Sequence, residues 1–141
     1  MRVVAVKAKE LRFAVDLTPS GEFTEDGGVS LELPTGWQPE HLLLAALVRC
    51  SLKSLQFHAA RKDTKVRSAS GSGRALVTKR EADERYAVVE SELELVVEIE
   101  PDATGDALAE LLALAERDCF IGSSLTAAPS YHWIVNGRAV S

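Results

Sequence analysis

The sequence predicts one α+β domain, and three observations carry that reading. Residues 65–79 and 85–100 alternate apolar and polar side chains at period two, as strands do. Residues 39–61 and 102–118 repeat apolar residues at helical spacing instead. The segments run in the order β-β-β-α-β-β-α-β, which pairs neighbouring strands and gives mostly antiparallel sheet around two central helices. At 141 residues the chain is long enough for one core. It has no internal repeat, low-complexity run or linker, so residues 1–141 read as a single domain.

Residues 2–8 and 11–17 alternate in the manner of half-buried strands. Thr18-Pro19-Ser20-Gly21 and Glu25-Asp26-Gly27-Gly28 are turn sequences, in which Pro presets φ and Gly accepts positive φ. Val29, Leu31 and Leu33 alternate again before Pro34-Thr35-Gly36, so the first third reads as a three-stranded meander. Pro39 fits a first helical turn, where its missing N–H costs nothing, and opens a helix to about Arg61. The stretch 42–48 of that helix is apolar nearly all round. Such a helix is either central in its domain or covered by a second subunit. Segments 65–79 and 85–100 pair across the charged loop Arg80-Glu81-Ala82-Asp83-Glu84, with Leu93, Leu95, Val97 and Ile99 marking one buried face. Asp102 or Thr104 can cap the helix 102–118, whose buried stripe is Leu108, Leu111, Leu112 and Ala115. Gly122 ends that segment and residues 123–127 read as one further turn. Residues 131–140 close the chain as a strand with Tyr131, Trp133 and Val135 on one face.

A content of 46% hydrophobic and 26% charged residues is that of a globular protein. The net charge of −5, with scattered basic residues, argues against nucleic acid as a partner, since phosphate binding needs clustered positive charge. The longest apolar run has seven residues, against the ~20 that span a bilayer, so no membrane partner is expected. The amino terminus lacks the apolar core and cleavage site of a signal peptide. A cytoplasmic location follows as the expectation. There thiols are kept reduced and a disulfide is transient.

Cys50 and Cys119 are the two cysteines, and each ends an apolar helical run. On residue chemistry alone they are either a redox dithiol assembled by the fold or two small core residues, since free Cys is among the most buried types. His41, His58 and His132 raise a metal reading with Cys50, yet no closely spaced ligand pair exists and no metal is expected. There is no Cys-x-x-Cys, P-loop, dinucleotide fingerprint or nucleophile elbow, so no bound cofactor is expected either.

Residues 39–50, PEHLLLAALVRC, and 111–125, LLALAERDCFIGSSL, carry a resemblance to the OsmC/Ohr family of osmotically inducible and organic hydroperoxide resistance proteins. The first has Pro-Glu, an apolar helical stretch, and Cys ten positions after the Glu; the second has Ala-Glu-x-x-Cys and then small polar residues. The closing YHWIVNG, residues 131–137, is similar to the family's last strand, so the resemblance covers nearly the whole chain. It implies an intertwined homodimer with the long helices shared in one core. It also implies thiol-dependent reduction of organic hydroperoxides in oxidative or osmotic stress defence, with an external dithiol reductant. By motif match Cys50 would be the peroxidatic cysteine, Cys119 the resolving one, and Glu40 the carboxylate of the site.

Glu40 lies roughly 15 Å along the helix axis from Cys50 and about 80° around it, so a shared site needs a second subunit or a bridging residue. By itself Glu40 is a first-turn carboxylate favoured by the helix dipole. Family peroxidases place an arginine from the amino-terminal strand region beside the first cysteine. The corresponding Thr18-Pro19-Ser20-Gly21-Glu22 has none, which leaves Arg12, in the preceding strand, as the candidate substitute. Arg49 adjoins Cys50, but adjacent helical residues point in different directions. Phe120 stands where a proline often follows the second cysteine. The alternative expectation is a non-catalytic dimer of the same fold that binds a small hydrophobic ligand at the subunit interface; a purely structural dimer is the third.

Overall fold

The structure, a computed structural model, describes residues 8–140. They form two compact units, one ending at Trp37 and the other beginning at Gln38. The first is an antiparallel meander of β1 (Val15–Leu17), β2 (Glu22–Glu25) and β3 (Ser30–Glu32). Its two turns are the two turn sequences, with Gly21 and Gly28 at φ +89° and +91°. The strands differ from those expected. Residues 1–7, most of the expected strand 2–8, lie outside the described residues, and the expected strand 11–17 contracts to β1. The missed strand is β2, which contains a single apolar residue, Phe23, paired with Leu17 on one side and Leu31 on the other. Strands this short cannot enclose a core. Accordingly Phe13, Val15, Leu17, Val29 and Leu31 are all exposed.

The second unit contains α1 (Pro39–Ala60), β4 (Lys65–Lys79), β5 (Tyr86–Glu100), α2 (Gly105–Arg117), α3 (Phe120–Ser123), β6 (Ser130–Val135) and β7 (Arg138–Val140). Its sheet has the order β4-β5-β6-β7, with β5 and β6 parallel and the other neighbours antiparallel. The whole chain therefore has the α+β fold that the segment order predicts. Leu93, Leu95, Val97 and Ile99 form the buried face of β5, as the alternation predicts. Opposite them on β4 stand small residues: Ala69 faces Val97, Gly71 faces Leu95 and Gly73 faces Leu93. Cross-strand partners share a face, so this side of β4 is low and α1 settles onto it. A Cβ added at Gly73 would lie 3.4 Å from Leu44 and 3.5 Å from Val48 of α1. Leu47, Leu55 and Ala59 of α1, Leu108, Leu111, Leu112 and Ala115 of α2, and Trp133 and Val135 of β6 complete the core.

Within one chain α1 is not buried on all sides. In its apolar first half only Leu47 is buried; Leu42, Leu43, Leu44, Ala46 and Val48 are half-buried and Ala45 is exposed. Of the two candidate caps, Thr104 occupies the position before α2, without a side-chain hydrogen bond to the helix, and the Asp102 carboxylate accepts from Asn136 and Arg138. Two further expectations are corrected. The extra turn starts at Phe120 as α3, not at Ser123. The expected last strand is two, because Asn136 and Gly137 take φ of 49° and 79° and fold β6 back onto β7. Among the described residues no helix is long and apolar enough to cross a membrane.

Candidate active site

Two backbone events bring the cysteines together. The chain leaves α2 at Asp118 and enters α3 at once, so Cys119 sits extended between two helices, at φ −76° and ψ 107°. Its fully buried sulfur accepts the Gly122 N–H at 3.4 Å, closing the first turn of α3 as an N-cap side chain does. Helix α1 passes this junction with Cys50 facing it. The half-buried Cys50 thiol lies near Cys119 and the backbone of Ile121 and Phe120. Burial pushes the Cys50 thiol above its ordinary pKa, and the neighbouring Cys119 adds to that push. The Ile121 and Phe120 amides act against it, because they favour the thiolate.

Ser51, the next residue of α1, reaches the other side of Cys119. Its hydroxyl is 2.8 Å from the Leu47 carbonyl, 3.6 Å from the Cys119 sulfur and 3.0 Å from the Tyr131 hydroxyl. Tyr131 stacks on Trp133 with 5.9 Å between ring centroids and 6° between planes, and the Trp133 indole N–H donates to Glu116 at 3.1 Å. Burial raises the Tyr131 pKa to about 12, so the phenol is a neutral donor across the physiological range. Gly122 keeps this corner tight: a Cβ there would lie 3.4 Å from both the Cys119 sulfur and the Tyr131 hydroxyl. A cleft of ≈ 550 Å³ opens beside it, lined by Leu112 and Glu116 of α2, Gly122 of α3 and Tyr131 and Trp133 of β6.

One residue before Cys119, Asp118 lies 2.7 Å from the Nε2 atom of buried His58 near the end of α1. Arg117 donates to the same carboxylate at 2.9 Å. Arg117 chiefly, and His58 after it, hold the Asp118 pKa at about 2. This contact ties α1 to the end of α2 and so fixes the level at which Cys119 meets α1. Among the described residues no three His, Cys, Asp or Glu side chains gather as a metal site.

Of the four residues singled out by sequence, the structure brings Cys50 and Cys119 together. Glu40 is exposed in the first turn of α1, remote from Cys50 along the same helix. Arg12 belongs to the amino-terminal unit, in the coil before β1 and not in a strand, where it pairs with Glu10 at 3.0 Å. Ser51 and Tyr131 join the site without a motif that marks them as site residues; Tyr131 reads in the sequence only as part of the face of the last strand. The one local signal for Ser51 is a small polar residue four positions after Leu47, on the buried side of an apolar helix.

Residues 32–133 match the family described as OsmC-like protein. An OsmC-like protein of unknown function from Vibrio cholerae is similar in structure, with a TM-score of 0.69 and 19% identity over 81% of this chain and 83% of that one. An OsmC-like protein from Mycoplasma pneumoniae gives 0.67 and 13% over 92% and 99%. An organic hydroperoxide resistance protein from Elizabethkingia anophelis gives 0.63 and 17% over 92% and 98%. At such identities the likeness establishes the fold. No curated protein matches the sequence significantly.

Proposed function

The chain belongs to the OsmC-like family, and from that premise we propose that it is a thiol-dependent peroxidase reducing organic hydroperoxides. The observation that carries this reading is the approach of the Cys50 thiol to Cys119 at the α2–α3 junction, beside the backbone of Ile121 and Phe120. In the first step the Cys50 thiolate attacks the O–O bond. An S–O bond forms, the O–O bond breaks, and the alkoxide leaves and takes a proton to become the alcohol. Sulfur is oxidised by two electrons and the peroxide is reduced by two. In the second step Cys119 attacks the Cys50 sulfenic acid. The S–S bond forms, the S–O bond breaks, and hydroxide leaves with a proton as water. An external dithiol then reopens the disulfide. The Ile121 and Phe120 amides favour the Cys50 thiolate, and the stretch 18–22 holds no arginine to add to them.

The working molecule in this proposal is a cytoplasmic homodimer, in which a second copy covers the apolar half of α1. A second reading, a dimer of the same fold that binds a small hydrophobic molecule without chemistry, draws support from the burial that favours the neutral Cys50 thiol. One measurement separates them. Consumption of an organic hydroperoxide with a dithiol reductant should proceed with the native protein and fall to background with Cys50→Ser. Equal rates in the two proteins would end the peroxidase reading.

A further inference from the structure

Ser51 has one proton and two acceptors. The Leu47 carbonyl oxygen lies at 2.8 Å and the Cys119 sulfur at 3.6 Å from the same hydroxyl oxygen, and one O–H cannot donate to both at full strength. With that proton committed to one or the other, the 3.0 Å contact to Tyr131 leaves Tyr131 as the donor, into a Ser51 lone pair. A neutral thiol is a weak acceptor, so in the resting state the Ser51 proton stays on the carbonyl. A thiolate is a charged acceptor and draws the same proton by rotation about one bond. Cys119 is fully buried, and its sulfur already accepts the Gly122 N–H at 3.4 Å. A second donor is what a buried thiolate needs.

We propose that Ser51 and Tyr131 form a hydroxyl rotor that stabilises the Cys119 thiolate during disulfide formation. This rests on the peroxidase reading for its purpose, though not for its geometry. When Cys119 gives up its proton, the Ser51 O–H swings from Leu47 to the sulfur, and Tyr131 keeps donating to Ser51 in both positions. Cys119 then attacks the Cys50 sulfenic acid: the S–S bond forms, the S–O bond breaks, and the departing hydroxide takes up a proton as water. Ser51 touches a reacting atom and is catalytic in this step; Tyr131 acts through Ser51 and is a positioning residue. The stacking of Tyr131 on Trp133, itself held by Glu116, sets the direction of the phenol. The titratable groups around the Cys119 sulfur are Cys50 on α1, Tyr131 on β6 and, acting on Tyr131, Glu116 on α2. Asp118, adjoining in sequence, is engaged by His58 and Arg117.

Two arms test the rotor. In a Cys50→Ser background, ultraviolet absorbance of the thiolate against pH reports Cys119 directly and needs no peroxide. Adding Ser51→Ala should raise the Cys119 midpoint by about one pH unit, the loss of one charge-assisted donor, and Tyr131→Phe should raise it by less, because Ser51 keeps its O–H. In the protein with both cysteines, one equivalent of an organic hydroperoxide should leave Ser51→Ala with accumulated Cys50 sulfenic acid, trapped by a 1,3-diketone, and with disulfide formation about tenfold slower. Tyr131→Phe removes only one oxygen and serves as the second variant where Ser51→Ala unfolds. An unshifted midpoint in both folded variants overturns the rotor. Failure of Cys50 to oxidise in the native protein would instead sink the peroxidase reading, while the titration arm still decides on the rotor.

Discussion

At Cys50 burial and the neighbouring Ile121 and Phe120 backbone pull in opposite directions, and burial is the stronger. The thiol stays protonated at neutral pH, and the Ile121 and Phe120 amides lower the cost of ionising it without abolishing it. Because the pKa is raised, the thiolate fraction grows about tenfold per pH unit through the neutral range and does not saturate near the ordinary thiol value. The rate of Cys50 sulfenic acid formation, followed by rapid mixing with an organic hydroperoxide from pH 6 to 10, should therefore climb past pH 9. A plateau reached below pH 8 would show a stronger anion-stabilising group than the two amides and refute this account. The cysteines themselves were legible in the sequence because each ends an apolar helical run, a local pattern. Ser51 and Tyr131 were not, because their partners stand 68 and 80 positions away and no periodicity connects them. The His58–Asp118 contact, 60 positions apart, was hidden for the same reason.

Elements were read best where their signal is long. The helix α1 and the 15-residue strands β4 and β5 appear within a residue or two of their expected limits, since many side chains vote for each. The short elements fail in two ways. β2 holds too few residues to show a period. At the end of the chain the apolar alternation of residues 131–140 outweighed Asn136-Gly137, a dipeptide whose positive-φ preference makes it a strong hairpin signal. The structure shows what that turn does for the sheet. Asn136 adopts φ 49°, accepts the Ile99 N–H at 2.8 Å and donates to the Ile99 carbonyl at 3.2 Å and to Asp102 at 2.7 Å. Its side chain thus pairs with β5 where β6 has already turned away. Asn136→Ala removes three hydrogen bonds and places an unfavoured residue at positive φ, a loss of roughly 2–4 kcal/mol. Asn136→Gly keeps the backbone relaxed and should lose less. Urea denaturation should show a lower midpoint for both at unchanged slope, in that order. A midpoint within error of the native protein for Asn136→Ala would remove the turn's assigned role.

At the scale of the whole molecule, each of the two units leaves apolar surface uncovered. The meander exposes Phe13, Val15, Leu17, Val29 and Leu31, and the second unit exposes Phe57, Leu76, Val77, Tyr86 and Phe120. Scattered apolar residues on a surface are ordinary, but a run such as 42–48 on one helix is not. Ala45 is the informative position in it. It is exposed in one chain, between the half-buried Leu44 and Ala46, so in a monomer a charged side chain there would project into water at little cost. In the proposed dimer, with the second copy packed on this half of α1, the same charge would be buried without a partner. Sedimentation equilibrium of the native protein at micromolar concentration should give twice the chain mass, and Ala45→Glu should give the single-chain mass or a concentration-dependent mixture. Thermal unfolding should become dependent on protein concentration for the native protein, as folding coupled to association requires. A native protein that sediments as one chain, with Ala45→Glu equally stable, would leave α1 exposed in solution and withdraw the dimer. Because Cys50 and the α2–α3 junction come from the same chain, hydroperoxide consumption measured on the Ala45→Glu monomer would then show how much of the chemistry one copy performs. Activity that survives dissociation assigns the thiolate stabilisation to the Ile121 and Phe120 amides, and activity lost with the dimer assigns it to the second copy.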